Sequence, residues 1–139
     1  MAVWIAWAIT SLRRAAWGLV LVFSIHVVVI LAFDVYSRYP DFDIPMHFAG
    51  GVAIAYFFGA CYRSADKFGL LGRPSNVVFP PMILGLTSLA AVVWELAEFA
   101  VEQQFGIRTQ PGLADTLLDL LMGLLGGVVW IAWDCRRLS

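Results

Sequence analysis

Apolar residues in this chain run together in four blocks, 15–36, 45–62, 77–101 and 113–133, separated by short stretches rich in charge, proline and glycine. Crossing the hydrocarbon layer of a bilayer takes about 20 apolar residues of helix, so each block predicts a membrane-spanning helix. The breakers agree. Tyr39-Pro40-Asp41-Phe42-Asp43 lies in the first connection, Gly69, Gly72 and Pro74 in the second, and Gly106 with Gln110-Pro111-Gly112 in the third. Pro45 and the Pro80-Pro81 pair stand at the openings of the second and third blocks, where a missing N–H does no harm. Asp43 is placed to cap the second helix.

Residues 3–12 are also apolar, carry Trp4 and Trp7, and run into Arg13 and Arg14. A signal peptide has its basic residues before its apolar stretch, not after it. The segment predicts a short helix in the membrane interface, with its Trp side chains at headgroup level; the competing reading is a plain extension of the first span. The expected fold is therefore an all-α integral membrane bundle of four transmembrane helices. Its organisation is an N-terminal interfacial segment, 1–14, followed by a four-helix domain, 15–139. Gly51, Ala55 and Gly59, like Gly123 and Gly127, recur every fourth residue, the spacing that lets helix backbones approach in lipid. These positions are expected to pack.

Composition agrees with the blocks: 61% of the 139 residues are hydrophobic and 14% charged, against about 45–50% and 25% in soluble domains. The net charge of -1 hides a segregation. Arg13, Arg14, Arg63, Lys67, Arg73, Arg136 and Arg137 fall at one end of the blocks, leaving Arg38 and Arg108 at the other. By the positive-inside rule both termini face the cytoplasm. Cys61 and Cys135 then lie at cytoplasmic helix ends with no CxxC pair, and neither is expected to bridge or to ligate metal.

The opposite end collects Asp34, Asp41, Asp43, Glu95, Glu98, Glu102, Asp115 and Asp119, with His47. Residues three or four apart share a helix face, so Glu95, Glu98 and Glu102 project together, as do Asp115 with Asp119 and Asp43 with His47. A charge near the centre of a membrane helix costs roughly 2.5–3.5 kcal/mol on insertion scales. Several acids together need protons or a bound cation. Carboxylates with one imidazole suit Zn, Mn or Fe, and an all-oxygen subset suits Mg. The competing readings are helix capping for Asp43 and Asp115, and a protonated, hydrogen-bonded cluster that fixes register for His47, Glu95, Glu98 and Asp119. Asp41 and Glu102 are expected in water, Asp34 at the site or its rim, and the lone mid-span His26 in packing.

FDIPMHFAGG (42–51), VVWELAEF (92–99) and DTLLDLLMGLLGG (115–127) together resemble the signature of the uncharacterised YjdF-type bacterial inner-membrane proteins. These are similar to the wider VanZ-like group, with Asp-x-x-x-His, Glu and Asp-x-x-x-Asn/Asp on successive helices. The matching positions are Asp43, His47, Glu95, Glu98, Asp115 and Asp119. The resemblance covers spans two to four and implies a multi-pass protein of the bacterial inner membrane with a shared membrane site. It brings no established reaction. YjdF-type proteins carry a further acid where this chain has Gly123, so a pattern that binds two metals would here bind one.

Three functions compete. In the first, a divalent metal held by His47, Glu98, Asp115, Asp119 and Asp43 serves hydrolysis or transfer on a phosphate-bearing lipid. Glu95 is then the general base and Arg108 the phosphate partner. No HExxH or other recognised hydrolase motif accompanies them. The second is ion or proton movement, weakened because the acids occupy one half of the membrane. The third is a non-catalytic subunit whose polar cluster joins helices. The expected partners are the lipid bilayer, a lipid-linked substrate and a homo-oligomer or larger membrane complex, with no nucleic acid.

Overall fold

The structure, a computed structural model, describes residues 2–33, 38–72, 75–106 and 112–138. Among the described residues are four long helices, α1 (Ala2–Phe33), α2 (Asp43–Lys67), α3 (Phe79–Phe105) and α4 (Leu113–Leu138), with a 3-10 turn, Pro40–Phe42, leading into α2. Each carries a segment of 24 to 28 residues apolar enough to cross a membrane. At 1.5 Å per residue these measure about 36–42 Å, enough for a hydrocarbon layer of about 30 Å. The outward faces fit that solvent: Leu89, Val93 and Leu96 on α3 and Leu117, Leu121 and Val129 on α4 are all at least half exposed.

Local chemistry sets the helix ends. The proline pair stands in the first turn of α3, where the backbone N–H groups have no intrahelical partner. Gly106 closes α3 at φ 66° and donates its N–H to the Glu102 carbonyl, a left-handed conformation that glycine adopts without a steric cost. Gly69, at φ 67°, follows α2 in the same way.

Residues 2–14 are continuous with the span that follows, as the first turns of α1. Nothing between Ser11 and Ala16 breaks a helix, and the segment is fastened along α2. The Trp7 indole N–H donates to the Cys61 carbonyl at 3.1 Å, and the Tyr56 hydroxyl donates to the Arg14 carbonyl at 3.0 Å. Ser11 and Ala15 are buried beneath them. The apolar stretch of α1 that matches the other spans is accordingly Ala2–Val29.

α2 is central and packs against α1, α3 and α4. Its approach to α4 is closest at glycines. Gly51 lies against the backbone of Gly123, Gly126 against that of Phe48, and Gly59 under the Trp130 ring. Gly127 instead faces Thr87 of α3, so the adjacent glycines of α4 serve two neighbours. Toward one end the interior is filled by Ala55, Phe79, Ile83, Trp130 and Ile131. An ion pair there joins α2 to α4, the Arg63 guanidinium donating to Asp134 at 2.7 Å. The other half of the interior holds polar side chains.

Candidate metal centre

Direct backbone contact at Gly51, Gly123 and Gly126 fixes the depth and rotation of α4 against α2. That alignment carries Asp119, six residues into α4, to the level of His47, one turn into α2. α3 runs the opposite way and brings Glu95 and Glu98 to the same level from their position before its C-terminal end. On an ideal helix all four lie within about 15 Å, along the axis, of the helix ends.

His47 is the hub. Its Nε2 lies 3.4 Å from Asp43 Oδ1 and 3.8 Å from Asp119 Oδ1, and its Nδ1 lies 3.7 Å from Glu95 Oε1. Two groups of donor atoms result, Asp43 with His47 and Asp119, and His47 with Glu95 and Glu98, each gathered within 4.8 Å. Asp119 is only 2% exposed, and the other members are largely covered. The Trp94 indole N–H donates to Glu98 Oε1 at 2.9 Å, an i,i+4 contact along α3 that holds this carboxylate toward the interior. Asp43 Oδ1 and Asp115 Oδ2 are buried and accept no hydrogen bond.

The structure therefore brings Asp43, His47, Glu95, Glu98 and Asp119 together from three helices. Asp115 shares a face of α4 with Asp119 but lies one turn nearer the helix end and belongs to neither group. Asp43 does not cap α2. The 3-10 turn runs straight into the helix, Phe42 takes the cap position without a side-chain bond, and the Asp43 carboxylate turns back toward His47. Asp41 is exposed, whereas Glu102, expected in water, is partly covered. Arg108 and Asp34 lie outside the described residues.

Sequence reasoning passed over Trp94 and placed His26 in packing. Trp94 is an anchor for Glu98, and its i,i+4 spacing was readable. His26 of α1 meets the edge of the Trp94 ring, centroids 5.7 Å apart, and both line an apolar cavity that also touches His47. Nothing in the spacing of α1 singled His26 out.

Chemically, two ligands about 2.1 Å from one tetrahedral ion stand about 3.4 Å apart. The 3.4 and 3.8 Å separations around Nε2 are near that value and longer than a good N–H···O hydrogen bond of about 2.7–3.2 Å. Glu95 faces the other ring nitrogen at 3.7 Å.

A family described as "Predicted membrane protein (DUF2238)" matches residues 1–139. A protein of Thermotoga maritima, described as "Uncharacterized protein", is 33% identical over 103 residues, 73% of this chain and 52% of that protein. The matched region spans about half the length of this curated relative. No solved structure matches the chain.

Proposed function

This chain belongs to the DUF2238 family of predicted membrane proteins, and we propose that it binds one divalent cation between α2 and α4 and uses it on a phosphate-bearing lipid. The observation that carries this reading is the set of donors around His47 Nε2, with Asp43 and Asp119 at 3.4 and 3.8 Å. Four carboxyl groups, those of Asp43, Glu95, Glu98 and Asp119, surround one imidazole in an apolar bundle, with Asp115 one turn nearer the helix end. Buried charges require pairing or a metal, and the buried Asp43 and Asp115 oxygens that accept no hydrogen bond are acceptors a cation would satisfy. A mixed nitrogen and oxygen set favours Zn, Mn or Fe, with Mg the choice of an all-oxygen subset. Gly123, where YjdF-type proteins carry an acid, is consistent with one ion.

In this reading Asp43, His47 and Asp119 are the innermost ligands, Glu98 and Asp115 complete the shell, and Glu95 positions His47 through Nδ1. When bound, the ion supplies a Lewis acid for a phosphoryl oxygen and a nucleophilic water near neutral pH. Glu95, the carboxylate not engaged with the ion, serves as general base, and Arg108 as the phosphate partner. The concentration of Lys and Arg at the opposite end supports a site on the outer side with both termini inside, in a bacterial inner membrane as the YjdF-type and VanZ-like resemblance implies. Ion translocation through one chain is disfavoured by the apolar packing of Ala55, Ile83, Trp130 and Ile131 beyond the cluster.

Elemental analysis of the purified protein, beside Glu98→Ala and Asp119→Ala, tests the reading. Stoichiometric metal that is lost in Asp119→Ala and reduced in Glu98→Ala is expected, together with metal-dependent phosphate release from phosphatidate vesicles. Folded protein that contains no metal and is indifferent to both changes overturns it. Stable co-purifying partners would then favour the subunit reading.

A further inference from the structure

A cavity of about 490 Å³ lies between α1, α2 and α3, walled chiefly by Leu19, Val20, Phe23, Ile54, Ala90 and Trp94. Its volume falls in the range of small-molecule sites, about 300–1,000 Å³. Val20 and Phe23 are more than half exposed as well as lining it, so the cavity is open along its α1 wall, within the stretch Ala2–Val29 that is apolar enough to span a membrane. Its lining is not uniform: His26, Thr87, His47 and Gly123 also border it, and His47 places the acid cluster at one margin of a mostly hydrocarbon wall. Surrounded by lipid, an apolar space open to the hydrocarbon is filled by hydrocarbon, since water would find almost no partner along these walls.

We infer that the cavity is the seat of one acyl chain of a membrane phospholipid whose phosphate lies at the His47 end. The inference rests on the cation reading and extends it to the substrate's tail. The occupant follows from the gradation of the wall: apolar over its body, and at one margin a cluster that presents a cationic centre to a phosphate only when a metal is bound. A soluble phosphate ester would leave the apolar wall uncovered, and a wholly apolar lipid would leave the cluster without a partner.

Gly50 gives a clean test, because it lines the cavity and a Cβ added there meets nothing within 4 Å. Gly50→Phe therefore enters the cavity from a position whose Cβ meets no neighbouring atom. Gly85, where an added Cβ also meets nothing within 4 Å, lies outside the lining, and Gly85→Phe is the control. The proteins are reconstituted in dioleoyl phosphatidylcholine vesicles doped with phosphatidic acid bearing a diazirine at the end of one acyl chain, irradiated, digested and mapped by mass spectrometry.

Labelling concentrated at Gly50, Ile54, Ala90 or Trp94 in the wild type and in Gly85→Phe, and lost in Gly50→Phe, is the expected result. Labelling spread over the outward residues Leu89, Val93 and Leu96 and unchanged by Gly50→Phe overturns the inference. Metal content measured on the same samples keeps the two proposals apart: metal without cavity labelling overturns this one alone, and cavity labelling without metal overturns the cation reading.

Discussion

A methyl group added at Gly126 would meet the carbonyl oxygen of Phe48, the Phe48 carbonyl carbon at 3.1 Å and the Val52 nitrogen at 3.0 Å. All three are backbone atoms of α2 and cannot swing aside, so α4 must move. Overpacking of this kind costs about 1–3 kcal/mol, while replacing a helical glycine by alanine gains up to about 1 kcal/mol. Gly85→Ala has the same gain and no contact to relieve. The difference between the two variants isolates the steric part, and Gly126→Ala should be less stable than Gly85→Ala by about 1–3 kcal/mol. Reversible unfolding in mixed detergent micelles, read by circular dichroism, measures it. Because Gly126 is two turns from Asp119 on α4, the same displacement should draw Asp119 from His47 and weaken metal binding in Gly126→Ala alone. Equal stability of the two variants would refute the claim that backbone contact at Gly126 sets the spacing of α2 and α4.

Three other changes probe separate parts of the bundle. Glu95→Gln should weaken metal binding by about 10- to 100-fold without abolishing it, as loss of a histidine's orienting carboxylate does, measured by calorimetric titration with Mn²⁺. Trp94→Phe removes the 2.9 Å bond to Glu98 and should cost about 1 kcal/mol in the same unfolding assay. Arg63→Met leaves the buried Asp134 without its 2.7 Å partner; because Arg63 is partly exposed, the cost should be about 2 kcal/mol, below the 3–5 of a fully buried pair, and Arg63→Met with Asp134→Leu should recover most of it.

The helix count was readable because proline and glycine interrupt the apolar blocks, and the membrane class because the blocks are long. The start of the first span was not. Its register depends on Trp7 reaching the Cys61 carbonyl, a contact across 54 residues that no local pattern announces. Similarly, i,i+4 spacing identified which acids share a face of one helix, but not which faces meet. That is decided by how far α4 slides along α2 before Gly51, Gly123 and Gly126 close the gap. The slide brings Asp119 to His47 and leaves Asp115 a turn away. Gly126 lies outside the every-fourth-residue series of Gly123 and Gly127, yet both adjacent glycines are in use, one for each neighbouring helix.

The proposed cation site depends most directly on His47 Nε2 as a metal ligand. Pulsed electron paramagnetic resonance of the Mn²⁺-loaded protein reads that bond through the modulation that a coordinated imidazole nitrogen imposes on the echo. The account predicts this modulation in the wild type and its loss in His47→Gln. Stoichiometric Mn²⁺ bound with no nitrogen modulation, or with modulation that survives His47→Gln, would contradict it.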